Sequence, residues 1–189
     1  MEHPTKASLR TEARRRLRTL SAEDRRAAAA AICARIAELR EWAAAGMVGL
    51  YAAQAGEPDV AGLLRAPGKR FCFPRVAGEG LEFRRCDDMG LLRAGRWNLL
   101  EPNPEDCAAV SAQEIDLLLI PGLAFTRGGG RLGRGGGVYD RFLAGVHPRA
   151  VKIGVCFDTQ LMDSLPLEGH DHEVDLVVTQ AEVFRRAAF

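Results

Sequence analysis

The chain has 189 residues, 47% hydrophobic and 27% charged, with a formal charge of +1; this fits one domain that buries roughly 70% of its unfolded surface and excludes disordered or collagenous classes. Near-zero net charge gives no pull toward nucleic acid or an acidic membrane, and the longest apolar run, residues 115–122, is far below the ~20 residues of a membrane span. Five scattered cysteines with no Cys-x-x-Cys pair argue against a disulfide framework and a zinc site, and with no apolar stretch near Met1 the expected compartment is the cytoplasm.

From Lys6 to Trp42 the composition is helical, rich in Ala, Arg, Leu and Glu. Ser21-Ala-Glu-Asp24 has the form of a capping box and precedes Ile32, Ile36 and Leu39 at helical spacing, which predicts two helices broken at Ser21. Residues 1–42 carry ten basic and six acidic side chains, read on charge alone as a solvated face. Beyond them, Met47 to Tyr51, Arg70 to Phe73, Leu81 to Arg85, Ile115 to Ile120, Val151 to Phe157 and Leu176 to Thr179 read as strands. The runs at 115–120 and 151–157 are nearly continuous in apolar residues and bracket a candidate helix at Val138 to Ala144, the signature of a βαβ unit with a doubly covered parallel strand. Pro67-Gly68 and Gly78-Glu79-Gly80 mark turns, and Pro102 to Ala109 reads as a loop. The expected fold is α/β: a single three-layer α/β/α domain over residues 1–189, with a mostly parallel sheet and an N-terminal basic helical segment.

The most informative stretch runs from Leu117 to Leu143: a buried strand, a loop with seven glycines between residues 128 and 137 interleaved with Arg131 and Arg134, then a helix start. Glycines let backbone N–H groups approach a ligand closely, and arginines add charge-assisted bonds to phosphate oxygens, so the loop reads as a polyphosphate cradle or, on composition alone, as a flexible surface loop. Gly128, Gly130 and Gly133 match Gly-x-Gly-x-x-Gly, but they neither open the helix directly nor precede a suitably placed acid; Arg134-Gly135 stands where a P-loop needs Lys-Ser/Thr. Asp140 follows the cradle, where a hard cation such as Mg²⁺ would want a carboxylate. A second acidic cluster spans Leu165 to Asp175 and holds His170, Asp171 and His172; it reads as a metal-side loop or a plain polar one, with no third ligand at zinc spacing. Glu57 follows the first strand and could accept hydrogen bonds from a polar heterocycle or simply belong to a turn. Tyr51 and Trp97 could stack on a ligand, though core packing is the commoner role.

On these residues the chain resembles the 5-formyltetrahydrofolate cyclo-ligase family, also called 5,10-methenyltetrahydrofolate synthetases. Four blocks match in order: Lys6-Ala-Ser-Leu-Arg10; Gly56-Glu57; Pro121-Gly-Leu-Ala-Phe125 continuing through Arg131 to Arg141; and Leu165-Pro166 to His170-Asp171 with Val174-Asp175. The resemblance implies conversion of 5-formyltetrahydrofolate to 5,10-methenyltetrahydrofolate with ATP as co-substrate and Mg²⁺ as cofactor. It implies that Lys6, Ala7, Ser8, Leu9 and Arg10, with Arg131, Leu132, Gly133, Arg134, Gly135, Gly136, Gly137, Val138 and Tyr139, bind the nucleotide. Ala52, Glu57 and residues 134–138 would contact the folate, Asp140 and Asp171 would hold Mg²⁺, and Arg134, Lys6 and Tyr139 would serve catalysis. Such an enzyme would act as a monomer without nucleic acid or membrane partners.

This sequence departs from the family pattern at Val138, which stands where Tyr is common, and at Thr126-Arg127, which replaces an acid. The absence of a Ser/His/Asp or Cys/His set agrees with phosphoryl transfer, where the protein positions groups and neutralises charge. The alternatives are a non-catalytic nucleotide- or folate-binding module and an ATP-dependent ligase with another acceptor.

Overall fold

A computed structural model describes residues 4–96 and 99–187. Helix α1 (Lys6–Leu17) starts at Thr5, whose side chain accepts a hydrogen bond from the Ser8 N–H. Helix α2 (Ala22–Ala37) starts at Ser21 with the capping box formed by Asp24. The expected break at Ser21 is therefore present, but a third helix, α3 (Arg40–Ala44), follows α2. It is one turn long, too short to show a helical period, and it forms by seating Trp42 in the core.

Eight strands make one sheet: β1 (Met47–Gly49), β2 (Arg70–Ala77), β3 (Gly80–Arg85), β6 (Ala109–Val110), β7 (Leu117–Pro121), β10 (Val151–Val155), β11 (Leu176–Val178) and β12 (Val183–Arg185), in the order β12-β11-β10-β7-β1-β2-β3-β6. Two small hairpins stand apart, β4 (Leu92–Ala94) with β5 (Leu100–Pro102) and β8 (Ala124–Phe125) with β9 (Arg131–Leu132). All six expected strands exist. The additions, β12 and β6 on the sheet and the two hairpins, are two or three residues long, below the length at which alternation is legible. The 102–109 segment is bounded by strands, Pro102 closing β5 and Ala109 opening β6.

The five central strands are parallel and the flanking pairs antiparallel. Along β7 the two-residue side-chain period sends Leu117 and Leu119 to one face and Leu118 and Ile120 to the other, and all four are fully buried. The first face is covered by α2, through Ile32 and Ile36, and by Trp42 of α3. The second is covered by α4 (Val138–Leu143), through Tyr139, Phe142 and Leu143, and by Phe125. This is the expected three-layer architecture, with a thinner second layer.

Chain order then locates the crevice. From β1 the chain crosses to β2 on one side through a turn whose Val60 and Leu63 pack on the α2 face, while β7 reaches β10 on the other side through α4 on the opposite face. Crossovers of one hand running in opposite directions must use opposite faces, so the loops leaving β1 and β7 part and leave a crevice at their carboxyl ends.

Candidate active site

A cleft of about 450 Å³ opens at that point. Tyr51, Ala52, Gln54 and Glu57 come from the loop after β1, Pro121 and Gly122 from the end of β7, and Gly133 to Asp140 from the connection into α4. Lys6 and Arg10 reach in from α1, and His170 and Asp171 from the loop before β11. Pro74, Val76, Leu81, Leu99 and Leu100 make the opposite end apolar. One pocket thus joins a highly charged end to an apolar slot.

The charged end is built from ion pairs. Lys6 Nζ lies 2.7 Å from Asp171 Oδ2 and 3.2 Å from Glu168 Oε1. Burial alone would lower the lysine's pKa, but the hydrogen bonds to Asp171 and then Glu168 outweigh it and hold the ammonium above its ordinary value. Burial would likewise raise the Asp171 carboxyl, yet Lys6 and the Glu168 N–H keep it below the usual aspartate range. Arg131 Nη2 meets Asp140 Oδ1 at 2.6 Å, and the same oxygen accepts the His172 N–H at 3.3 Å. Arg134 bonds Glu57 Oε1 through Nη2 at 2.9 Å and Nε at 3.2 Å, while the Gln54 N–H donates to Glu57 Oε2 at 2.9 Å. Arg10 Nε donates to the Gly133 carbonyl at 3.0 Å.

Helix period explains which first-block residues arrive. Lys6 and Arg10 are four apart and share the face turned to the cleft. Ala7, Ser8 and Leu9 do not line it: Ser8 bonds Thr5 at the helix start, and Leu9 packs beside Ala13, Leu123, Leu132 and Met162. The glycine-rich loop divides in two. Gly128 to Gly130 form the β8–β9 turn, where the Thr126 N–H donates to the Gly130 carbonyl and the Val174 N–H to the Gly129 carbonyl, so this half serves the hairpin. Gly133 and Gly135 to Gly137 line the cleft, and Gly137 caps α4 at φ 63, a left-handed conformation that would strain any residue with a Cβ.

Arg131 is 7% exposed, its guanidinium lies 5.6 Å from the Tyr139 ring centre, and its buried Nε has no hydrogen-bond partner. The guanidinium, held against Asp140 at the cleft wall, places a fixed positive charge where an anion would bind. Tyr139 is half-buried on the cleft wall, and burial, then the charge of Glu57, push its hydroxyl up against the weaker opposing pull of Arg131. It stays a phenol, with a proton to donate in a hydrogen bond.

Asp140 and Asp171 face one cleft as hard oxygen donors. Among the described residues no group of three or more His, Cys, Asp or Glu could hold a metal. Mg²⁺ needs less from a protein, one or two carboxylates completed by water and substrate phosphates, so this donor pair fits its chemistry. Val138 and Ala52 line the cleft, and Trp97 lies outside the described residues. Thr126 and Arg127 belong to the hairpin turn, with Arg127 reaching Asp163 at 3.7 Å.

Three further residues were not singled out from the sequence. Glu168, the second acid on Lys6, lay inside the acidic cluster already noted. Gln160 is fully buried; its amide donates to the Gly122 and Leu123 carbonyls and accepts from the Phe157 N–H, tying the β7 exit loop to the end of β10. Glu101 is buried in the apolar slot. Neither residue had a local signal, because the carbonyls that Gln160 holds and the N–H that Glu101 accepts lie 25 or more positions away.

The profile described as the 5-formyltetrahydrofolate cyclo-ligase family matches residues 2–180. A 5-formyltetrahydrofolate cyclo-ligase of Mus musculus is 28% identical over 92% of each chain, and that of Escherichia coli K12 is 33% identical over 68% of this chain and 72% of its own. The NMR structure of the 5,10-methenyltetrahydrofolate synthetase of Aquifex aeolicus superposes with a TM-score of 0.85 at 30% identity, covering 97% of this chain and 94% of that one.

Proposed function

The chain belongs to the 5-formyltetrahydrofolate cyclo-ligase family, and from that premise we propose how its cleft divides the work of the reaction. The enzyme is an ATP-dependent ligase that converts 5-formyltetrahydrofolate to 5,10-methenyltetrahydrofolate. A formamide oxygen is a poor leaving group, so ring closure needs it activated. In our reading the formyl oxygen attacks the γ-phosphorus of ATP and ADP leaves. N10 then attacks the activated carbon, the C–O bond breaks, phosphate departs with the former formyl oxygen, and the N10 proton is lost.

Such a path asks the protein for position and neutralised charge rather than a nucleophile. Lys6, Arg10, Arg131 and Arg134 are the cations for the phosphates, and the glycine backbone from 133 to 137 allows their close approach. Ala7, Ser8 and Leu9 take part by holding α1 in place, and Leu132 by anchoring the start of the loop. Tyr139 donates a hydrogen bond to the transferring group. Ala52, Glu57 and residues 134–138 border the folate at the junction with the apolar slot. Asp140 and Asp171 would hold Mg²⁺, which when bound supplies charge neutralisation on the phosphates. We further propose a cytoplasmic monomer without nucleic acid or membrane partners, a reading supported by the near-zero net charge and by the lack, among the described residues, of a helix long and apolar enough to cross a membrane.

The observation that carries the assignment is the shared cleft: four cations and the two proposed metal-side carboxylates face one end, and an apolar slot for a flat ring faces the other. The test is the absorbance of methenyltetrahydrofolate on mixing protein, 5-formyltetrahydrofolate, ATP and Mg²⁺, with each omitted in turn. Product requiring all of them supports the reading. Stabilisation by ATP without product would favour a binding module or another acceptor.

A further inference from the structure

Glu101 is one of four buried polar or charged residues among those described, 7% exposed, and it lies on the wall of the apolar slot between Pro74, Val76, Leu81, Leu99 and Leu100. Its Oε1 accepts the Val76 N–H at 3.2 Å. Its Oε2 has no hydrogen-bond or ion-pair partner among the described residues, and it is not one of the dry, fully enclosed orphan atoms. The side chain is also held in place from behind: a Cβ on Gly95 would fall 2.2 Å from Oε2, so only glycine leaves room for this orientation.

Burying a carboxylate costs free energy unless donors meet it, and one backbone N–H does not require a charge; a neutral acceptor would serve Val76 equally well. Glu101 is among the residues that line the slot, and Oε2 is its oxygen without a partner among the described residues. Glu57, the other carboxylate near the folate end, has both oxygens engaged, one by Arg134 and one by the Gln54 N–H. Glu101 therefore offers the open acceptor at the apolar end.

We propose that Glu101 reads the hydrogen-bond-donor edge of the pteridine ring, the adjacent ring N–H and exocyclic amino group of its aminopyrimidinone, and so selects reduced pterins over flat rings that lack those donors. This rests on the cyclo-ligase reading above. One carboxylate oxygen has two lone pairs and can accept from both N–H groups, and in a desolvated slot such charge-assisted bonds discriminate strongly because a ligand without the donors leaves the charge unpaired.

The test compares the unmodified chain with Glu101→Gln, on 5-formyltetrahydrofolate and on its analogue lacking the 2-amino group. Glutamine keeps the shape, but whichever way its amide turns, an NH₂ faces either the Val76 N–H or the ligand's donors. The expected result is a KM for 5-formyltetrahydrofolate raised roughly 10- to 100-fold, the range for hydrogen bonds to a charged partner, with the KM for ATP unchanged. Removing the amino group should weaken the unmodified chain strongly and the variant little. An unchanged KM in the variant, or equal sensitivity of both proteins to the missing amino group, overturns the proposal. Should the variant fail to fold, the unmodified chain still decides: equal binding of the two ligands refutes it. No turnover by the unmodified chain would instead sink the cyclo-ligase reading beneath it.

Discussion

Replacing Arg134 by alanine separates catalysis from stability, because the structure assigns very different weights to the two. The Arg134 side chain is 42% exposed and pairs with a Glu57 that is 5% exposed. A pair with one well-solvated member contributes at most about 1 kcal/mol, and Glu57 keeps the Gln54 N–H on its second oxygen, so the fold should lose no more than that. If Arg134 instead neutralises charge that grows on the transferred phosphoryl group, its removal should cost about 2.7–4 kcal/mol in the transition state, or about 10²–10³ in kcat. The assay is kcat and KM for both substrates by absorbance of the methenyl product, beside a thermal melt. Arg134→Lys should recover part of the rate, since it restores the charge without the planar fork. A kcat equal to that of the unmodified chain, with only the melting temperature lowered, would refute the reasoning and leave Arg134 as the counterion of Glu57.

Lys6→Met should lower kcat/KM for ATP more than that for folate, measured by varying each substrate in turn; equal losses would make Lys6 a general tether for α1. Asp171→Asn should move the Mg²⁺ titration of activity to higher concentration, and an unchanged titration would remove Asp171 from the metal side. Gln160→Leu leaves the Gly122 and Leu123 carbonyls and the Phe157 N–H without partners, so urea unfolding should show a loss of about 3 kcal/mol or more; a loss below about 1 kcal/mol, the size of an ordinary hydrogen bond, would contradict that role. The Arg185 guanidinium holds the Glu41 carboxyl down at about 2 from 4.5. A carboxyl depressed by folding stabilises the fold above its unfolded pKa, and that contribution is lost as the pH falls from about 4.5 toward 2. Glu41→Gln should therefore flatten the decline in urea midpoint over that acid range, and an unaltered decline would count against the pair.

Much of the fold was legible because it is written in local periods. The Ser21 capping box, the six longer strands and the α4 start follow from residues a few positions apart, and the nearly continuous apolar runs at 115–120 and 151–157, read as doubly covered parallel strands, are β7 and β10 of the parallel part of the sheet. The third block also placed the glycine backbone at the mouth of the cleft. Strands of two or three residues were not legible, since a hairpin such as β8–β9 exists only because Phe125 and Leu132 find apolar neighbours brought by other segments.

The candidate site divides along the same line. Residue type and order alone determined the chemistry on offer: arginines among glycines, an aspartate after them, a basic first helix and no nucleophile–base set. Tertiary structure decided the pairing. It set Lys6 against Asp171, Arg131 against Asp140 and Arg134 against Glu57, separated the hairpin half of the glycine loop from the cleft half, and buried Glu101 in the apolar slot. Charge, propensity and period act over a few residues and survive in a linear reading. Which oxygen meets which nitrogen depends on contacts 165 positions apart for Lys6 and Asp171 and 77 for Arg134 and Glu57, and those distances close only when the sheet, its crossovers and its crevice have formed.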